Sequence, residues 1–117
     1  MSGTFSAIIV WMNNISPKEA IKHIEDGNVI VVDVRTPAEF EGGHIGGALN
    51  IDISSMSFAD KLNELDKNEK YIINCQMGGR SARATSLMSE IGFSNVMNLE
   101  GGITAWKGSG FSVKVGR

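Results

Sequence analysis

Apolar residues come in blocks along the chain, and polar caps and glycines punctuate them. The first signal is Ile15-Ser16-Pro17-Lys18-Glu19-Ala20. Ser16 stands at an N-cap, Pro17 at the first helical position and Glu19 three residues after the cap, while Ile15 and Ala20 can meet as a small staple. This helix is expected to run to about Asp26 and stop at Gly27. Val29 to Val34 is almost continuously β-branched, the composition of a strand buried on both faces of a parallel sheet. Thr36-Pro37-Ala38-Glu39 repeats the cap, proline and glutamate pattern, which predicts a short helix ending at Gly42-Gly43 and then a short strand near 48–51. Phe58, Leu62 and Leu65 recur at helical spacing and predict a helix near 57–65. Tyr71 to Asn74 is another apolar strand. Ala84, Leu87, Met88 and Ile91 fall at i, i+3, i+4 and i+7 and predict a helix stopped by Gly92. Residues 95–99 supply a third main strand. Alternating strands and helices predict an α/β domain, a mainly parallel central sheet flanked by helices.

Composition narrows the function. The chain has 117 residues, 42% of them hydrophobic and 21% charged, an ordinary globular balance that supports one core without staples. Residues 1–7 are read as a flexible lead and 8–117 as a single domain. Lys and Arg number 11 against 13 Asp and Glu, a net charge of −2, which lacks the basic excess of a nucleic-acid binder. Cys75 is the one cysteine, so an intramolecular disulfide is excluded, and two histidines cannot complete a thiol-ligated zinc site. No apolar run approaches the ~18–20 residues of a membrane span. Ala7 to Met12 is a six-residue apolar stretch with no basic residue before it, unlike an intact signal peptide; it reads as an added strand or the remnant of a trimmed segment. A lone reduced cysteine fits the cytoplasm, although an exported protein whose signal had been removed would look the same.

The chemistry gathers at Cys75-Gln76-Met77-Gly78-Gly79-Arg80-Ser81. Cys75 sits at the carboxyl end of a buried strand, where open α/β sheets bind ligands. Two glycines then let the backbone turn tightly, so that successive N–H groups can face one atom. The helix that follows contributes the positive end of its dipole. Arg80 and Arg83 add full charges, and no Asp or Glu occurs between Lys70 and Ser89. Such surroundings lower a thiol's pKa and also welcome an anion. A free cysteine is more commonly a small buried hydrophobe; the strand-to-helix position, the glycines and the arginine closing the loop favour a nucleophile here.

This loop resembles the C-x-x-G-x-R-S active loop of rhodanese-like sulfurtransferase domains. Asp33-Val34-Arg35-Thr36-Pro37-Ala38-Glu39-Phe40, followed by Gly43-His44-Ile45-Gly46-Gly47-Ala48-Leu49-Asn50-Ile51, is similar to the family's D-V-R-x-x-x-E-[FY] and G-H-I-P-G-A-x-N-I signatures. Leu99-Glu100-Gly101-Gly102-Ile103-Thr104-Ala105-Trp106 is similar to its L-x-G-G-x-x-A-W close. The resemblance spans about residues 15–115, with the motifs in the family's order. It implies a rhodanese-like fold, no cofactor and a persulfide mechanism. Cys75 attacks the sulfane sulfur of a donor such as thiosulfate, a polysulfide or a persulfide, and the sulfur then passes to cyanide or a thiol. By the same resemblance the amides of Gln76, Met77, Gly78, Gly79, Arg80 and Ser81 cradle the persulfide, and Arg80 holds the anionic donor or the loop itself. The implied partners are a small anionic donor, a thiol acceptor and a sulfur-relay protein, with the chain a monomer or weak dimer.

Four residues separate Cys75 from Arg80, one fewer than in the related C-x₅-R phosphatases, whose wider ring encloses a phosphate. No acid stands in or soon after the loop to protonate a leaving alcohol, which weighs against phosphatase or arsenate reductase activity. Gly46 replaces the family's usual proline and loosens that turn. Gln76 and Met77 are uncharged where members that prefer thiosulfate place basic residues. Asp33 and Arg35 read as an ion pair and hydrogen-bond support for the neighbouring loop, because charges beside a buried strand need partners. His44 reads as a structural histidine holding its turn, His23 as a surface or packing residue, and Phe40 and Trp106 as anchors. Other readings of the same fold are a binding module that does not catalyse, a sulfur carrier and a redox sensor, the last lacking a second cysteine to resolve a sulfenic acid.

Overall fold

The computed structural model describes residues 13–117; the Ala7–Met12 stretch and the lead over 1–7 lie outside the described residues. Five strands, β1 (Asn14–Ile15), β2 (Ile30–Asp33), β3 (Leu49–Asn50), β4 (Lys70–Asn74) and β5 (Asn95–Leu99), form one sheet in the order β1-β5-β4-β2-β3. Every pairing is parallel. Among the described residues five helices accompany them: α1 (Pro17–Asp26), α2 (Pro37–Glu41), α3 (Phe58–Asn63), α4 (Gly79–Glu90) and, after β5, α5 (Gly102–Gly108).

Side chains of β4 alternate between two apolar layers. Tyr71 and Ile73 join Val32, Val96, Phe58, Leu62 and Met88 in one layer. Ile72 joins Val31, Leu99, Ala20, Ile103 and Trp106 in the other. The sheet is therefore covered on both faces, which is why β2 and β4 carry apolar residues at consecutive positions. Each fully buried Ile contributes about 1.5–3 kcal/mol of transfer free energy, so the centre of β4 anchors whatever follows it.

The caps form as their sequence patterns predict. Ser16 and Glu19 make a complete capping box on α1, and Gly27 adopts the left-handed conformation beyond its end. Thr36 and Glu39 make the same box on α2. Ile15 and Ala20 lie in one apolar layer, with Ile15 also paired in β1 at the sheet edge. Three elements differ from expectation, the first being the two-residue β1, where only a staple residue was expected. The third helix spans only Phe58–Asn63 against the expected 57–65, and Ser57 at its N-cap makes no side-chain hydrogen bond. The stretch 102–108 folds as α5, which apolar periodicity misses because glycines bound its seven residues.

Parallel pairing brings all strand carboxyl ends to one edge. Asp33 pairs in register with Asn74, so the end of β2 lies beside the residue before Cys75. Asn98 registers with Ile73, so the glycines after β5 come up under the same loop. The C-terminal segment folds back over this edge: His44 and Lys114 exchange backbone hydrogen bonds at 2.8 and 2.7 Å, and Gly116 N–H reaches Glu41 O at 2.7 Å.

Candidate active site

Cys75 follows β4 directly and is 1% exposed. Its Sγ accepts the Gly78 N–H at 3.0 Å and lies 3.2 Å from Ser81 Oγ. Burial pushes the thiol pKa up, but the Ser81 hydroxyl and the Ser81, Gly78 and Met77 N–H groups together outweigh it and hold the pKa below the usual thiol range. Gly78 makes this convergence sterically cheap. It takes φ +111°, and a Cβ there would meet Gly101 N at 3.4 Å. Ser81 Oγ also lies 3.1 Å from Gly78 O. Its single proton therefore serves the carbonyl while sulfur is a thiol, and can turn to sulfur when the thiolate forms.

The loop is held from below by α5. Ile103 N–H donates to Cys75 O at 2.9 Å and Thr104 N–H to Gln76 O at 3.1 Å. Two otherwise unpaired donors at the start of α5 thereby turn both loop carbonyls away from the sulfur. The approach demands glycine at 102. A Cβ at Gly102 would lie 2.5 Å from Cys75 O and 2.6 Å from Gln76 O, and φ there is +59°. Sequence reasoning noted Gly101 to Thr104 only as part of a resemblance. The hydrogen-bond partners of Ile103 and Thr104 are 28 residues away, beyond any local pattern.

Two arginine–carboxylate pairs flank the loop. Asp33 and Arg35 are 0% and 3% exposed and meet at 2.7 Å. Arg35 also donates to Gly43 O at 2.8 Å and to Gln76 Oε1 at 3.3 Å, while Asp33 accepts from the Arg35 backbone and from Asn74 Nδ2. Gln76 donates onward to Thr104 Oγ1 at 3.1 Å, so its side chain is fixed at both ends. Arg80 forks onto Glu39, Nη1 to Oε1 at 2.8 Å and Nη2 to Oε2 at 2.9 Å. The Arg80 guanidinium, with the α2 cap, holds the Glu39 carboxyl down to about 2. Glu39 thus closes the α2 capping box and clasps the loop's arginine. Its place in the cap explained it fully in sequence terms, and that concealed its contact with the loop.

His44 stands apart from the sulfur. Its Nδ1 donates to Phe40 O at 2.8 Å and its ring stacks on Phe40 at 3.7 Å. A Cβ at Gly46 would touch the Lys114 side chain at 3.3 Å, so the strap from the C-terminal segment fills the space a larger residue would claim. Trp106 packs on Phe111 and donates to Ser112 O at 2.9 Å.

A cavity of about 450 Å³ opens over the loop, lined by Cys75, Gln76, Met77, Gly79, Arg80 and Arg83. Met77 is 73% exposed at its rim. Among the described residues there is no cluster of three His, Cys, Asp or Glu side chains able to hold a metal. Nor is any helix there long and apolar enough to cross a membrane.

Known proteins resemble this chain over most of its length. A protein of Allochromatium vinosum named "Sulfurtransferase" is 32% identical over 103 residues, covering 87% of this chain and 94% of its own. "Thiosulfate sulfurtransferase 16, chloroplastic" of Arabidopsis thaliana is 37% identical over 93 residues, 71% of this chain and 78% of its own. The crystal structure of a rhodanese-related protein from Thermoplasma volcanium superposes with a TM-score of 0.79 at 33% identity, covering 87% of this chain and 97% of that one. Residues 16–109 match the rhodanese-like domain profile. With its sheet, its Cys75 loop and these likenesses taken together, the chain belongs to the rhodanese-like domain family.

Proposed function

We propose that this protein is a sulfurtransferase working through a persulfide on Cys75. The observation that carries the reading is the sulfur's setting: a buried thiol with a lowered pKa, faced by N–H and hydroxyl donors, on the floor of an open cavity edged with arginine. In the first half-reaction the Cys75 thiolate attacks the sulfane sulfur of an anionic donor. With thiosulfate, the Sγ–S bond forms, the donor's S–S bond breaks and its electron pair leaves on sulfite. The product, Cys75–S–S⁻, has its charge close to the donors that favoured the thiolate. In the second half-reaction cyanide or a thiolate attacks the outer sulfur and Cys75 returns as thiolate. No general base is required, since each nucleophile enters as an anion.

The surrounding residues act by position. Glu39 holds Arg80, Asp33 and Arg35 hold Gln76, and the start of α5 holds the Cys75 and Gln76 carbonyls, so the loop amides stay convergent through the cycle. On this reading the described residues act as one catalytic unit without a cofactor, in a compartment that keeps thiols reduced, such as the cytoplasm. Its donor is a small anion or a relay protein's persulfide, and its acceptor a thiol. Thiocyanate formation from thiosulfate and cyanide tests it. Parallel lines in a double-reciprocal plot and loss of turnover in Cys75→Ser are expected. Turnover retained by Cys75→Ser would overturn the proposal.

A further inference from the structure

Three guanidinium groups surround the loop, and their charges are not equally available. Arg35 is buried against Asp33 and spends its remaining donors on Gly43 O and Gln76. Arg80 gives both terminal nitrogens to the two Glu39 oxygens, so its charge is matched before any ligand arrives. Arg83 lines the same cavity as Cys75, is exposed, and among the described residues takes part in no ion pair or side-chain hydrogen bond. It stands one turn beyond Gly79 on α4, at the i+4 position that shares a helix face. The rim residues Gln76 and Met77 are uncharged.

From this unequal pairing we propose that Arg83, rather than Arg80, is the specificity residue that recognises the anionic end of the sulfur donor. What Arg83 selects is the negative charge carried beside the sulfane sulfur, the oxyanion group in the case of thiosulfate. The inference rests on the sulfurtransferase reading and assigns donor recognition within it. The donor's oxyanion end meets the free guanidinium while its sulfane sulfur reaches Cys75. Attack then leaves the displaced oxyanion beside a cation and the new persulfide among the loop amides.

The experiment compares the wild type with Arg83→Gln, Arg83→Lys and Lys70→Gln, the last removing a cation at the far end of β4. Two readouts are taken: kcat/KM for thiosulfate, and the ratio of Cys75 alkylation rates with iodoacetate and iodoacetamide. Both reagents need the thiolate, so a changed thiol pKa moves the two rates together, whereas a lost anion contact lowers only the iodoacetate rate. Arg83→Gln is expected to lower kcat/KM and the alkylation ratio by roughly two- to fivefold, the scale of one exposed charge contact. Arg83→Lys should retain most of both, and Lys70→Gln should match the wild type. An unchanged alkylation ratio in Arg83→Gln, or an equal fall in Lys70→Gln, would overturn the assignment. If the wild type takes sulfur from neither thiosulfate nor polysulfide, the sulfurtransferase reading fails, while the alkylation ratio still decides whether Arg83 governs anion access.

Discussion

Arg35 and Arg80 each meet a carboxylate beside the Cys75 loop, yet solvent treats the two pairs differently. Asp33 and Arg35 are almost wholly buried, whereas the side chains of Arg80 and Glu39 remain 30% and 34% exposed. A buried pair repays its desolvation only when further hydrogen bonds satisfy both ions. Arg35 has them, in Gly43 O and the Gln76 amide, and Asp33 has them in the Arg35 backbone and Asn74. The exposed pair costs little to form and contributes little. The two pairs therefore divide the work, one fixing the floor of the site as part of the fold and the other clasping the rim.

Breaking the buried pair should produce the largest effect. Arg35→Met leaves the Asp33 charge unpaired in the interior, and a loss of about 3–5 kcal/mol is expected in denaturant unfolding. The double variant Asp33→Leu with Arg35→Met sharpens the point. It should recover much of that stability while leaving sulfur transfer low, because Gln76 has lost its anchor. Full recovery of both would show that the pair contributes nothing to the site.

Gly102→Ala sets a backbone support against the ionic ones. A Cβ has no room between Cys75 O and Gln76 O, and the left-handed φ adds strain, so a loss of about 2–3 kcal/mol is expected, together with impaired transfer. Glu39→Gln should cost only about 1 kcal/mol, the scale of an exposed pair. It should also change the acid limb of stability. The folded carboxyl is held near 2, well below its unfolded value of about 4.5. Its stabilisation is thus complete above pH 4.5 and is lost as the pH falls toward 2, and Glu39→Gln should lack that loss in acid titrations followed by circular dichroism.

The smallest expected change in stability is in Ser81→Ala. The Ser81 hydroxyl is the leading hydrogen bond lowering the thiol pKa. Removing it should move the midpoint of the Cys75 alkylation–pH profile upward while the protein stays folded. An unmoved midpoint would show that the backbone amides alone set the thiolate.

Much of this arrangement was legible in the chain itself. The capping boxes at Ser16 and Thr36, the doubly buried strand before Asp33 and the strand–glycine–helix passage at Cys75 are local patterns, and local physics forms them. The links between segments were less visible. Glu39 reads completely as a cap, and nothing in its neighbourhood announces that its carboxylate also grips Arg80. The start of α5 has too few apolar positions for a helical period, and its donors find their acceptors only once β4 and β5 are paired. Arg80 and Arg83 look alike in sequence; their difference lies in a partner 41 positions from Arg80.

Whether Cys75 carries sulfur between two partners is tested most directly by intact-mass spectrometry. The purified protein, with Cys75→Ser beside it, is weighed before and after thiosulfate and again after cyanide. The expected result is a gain of one sulfur atom that cyanide removes and that Cys75→Ser never shows. A protein that gains no sulfur from thiosulfate or polysulfide, while Cys75 still reacts with an alkylating reagent, would contradict it.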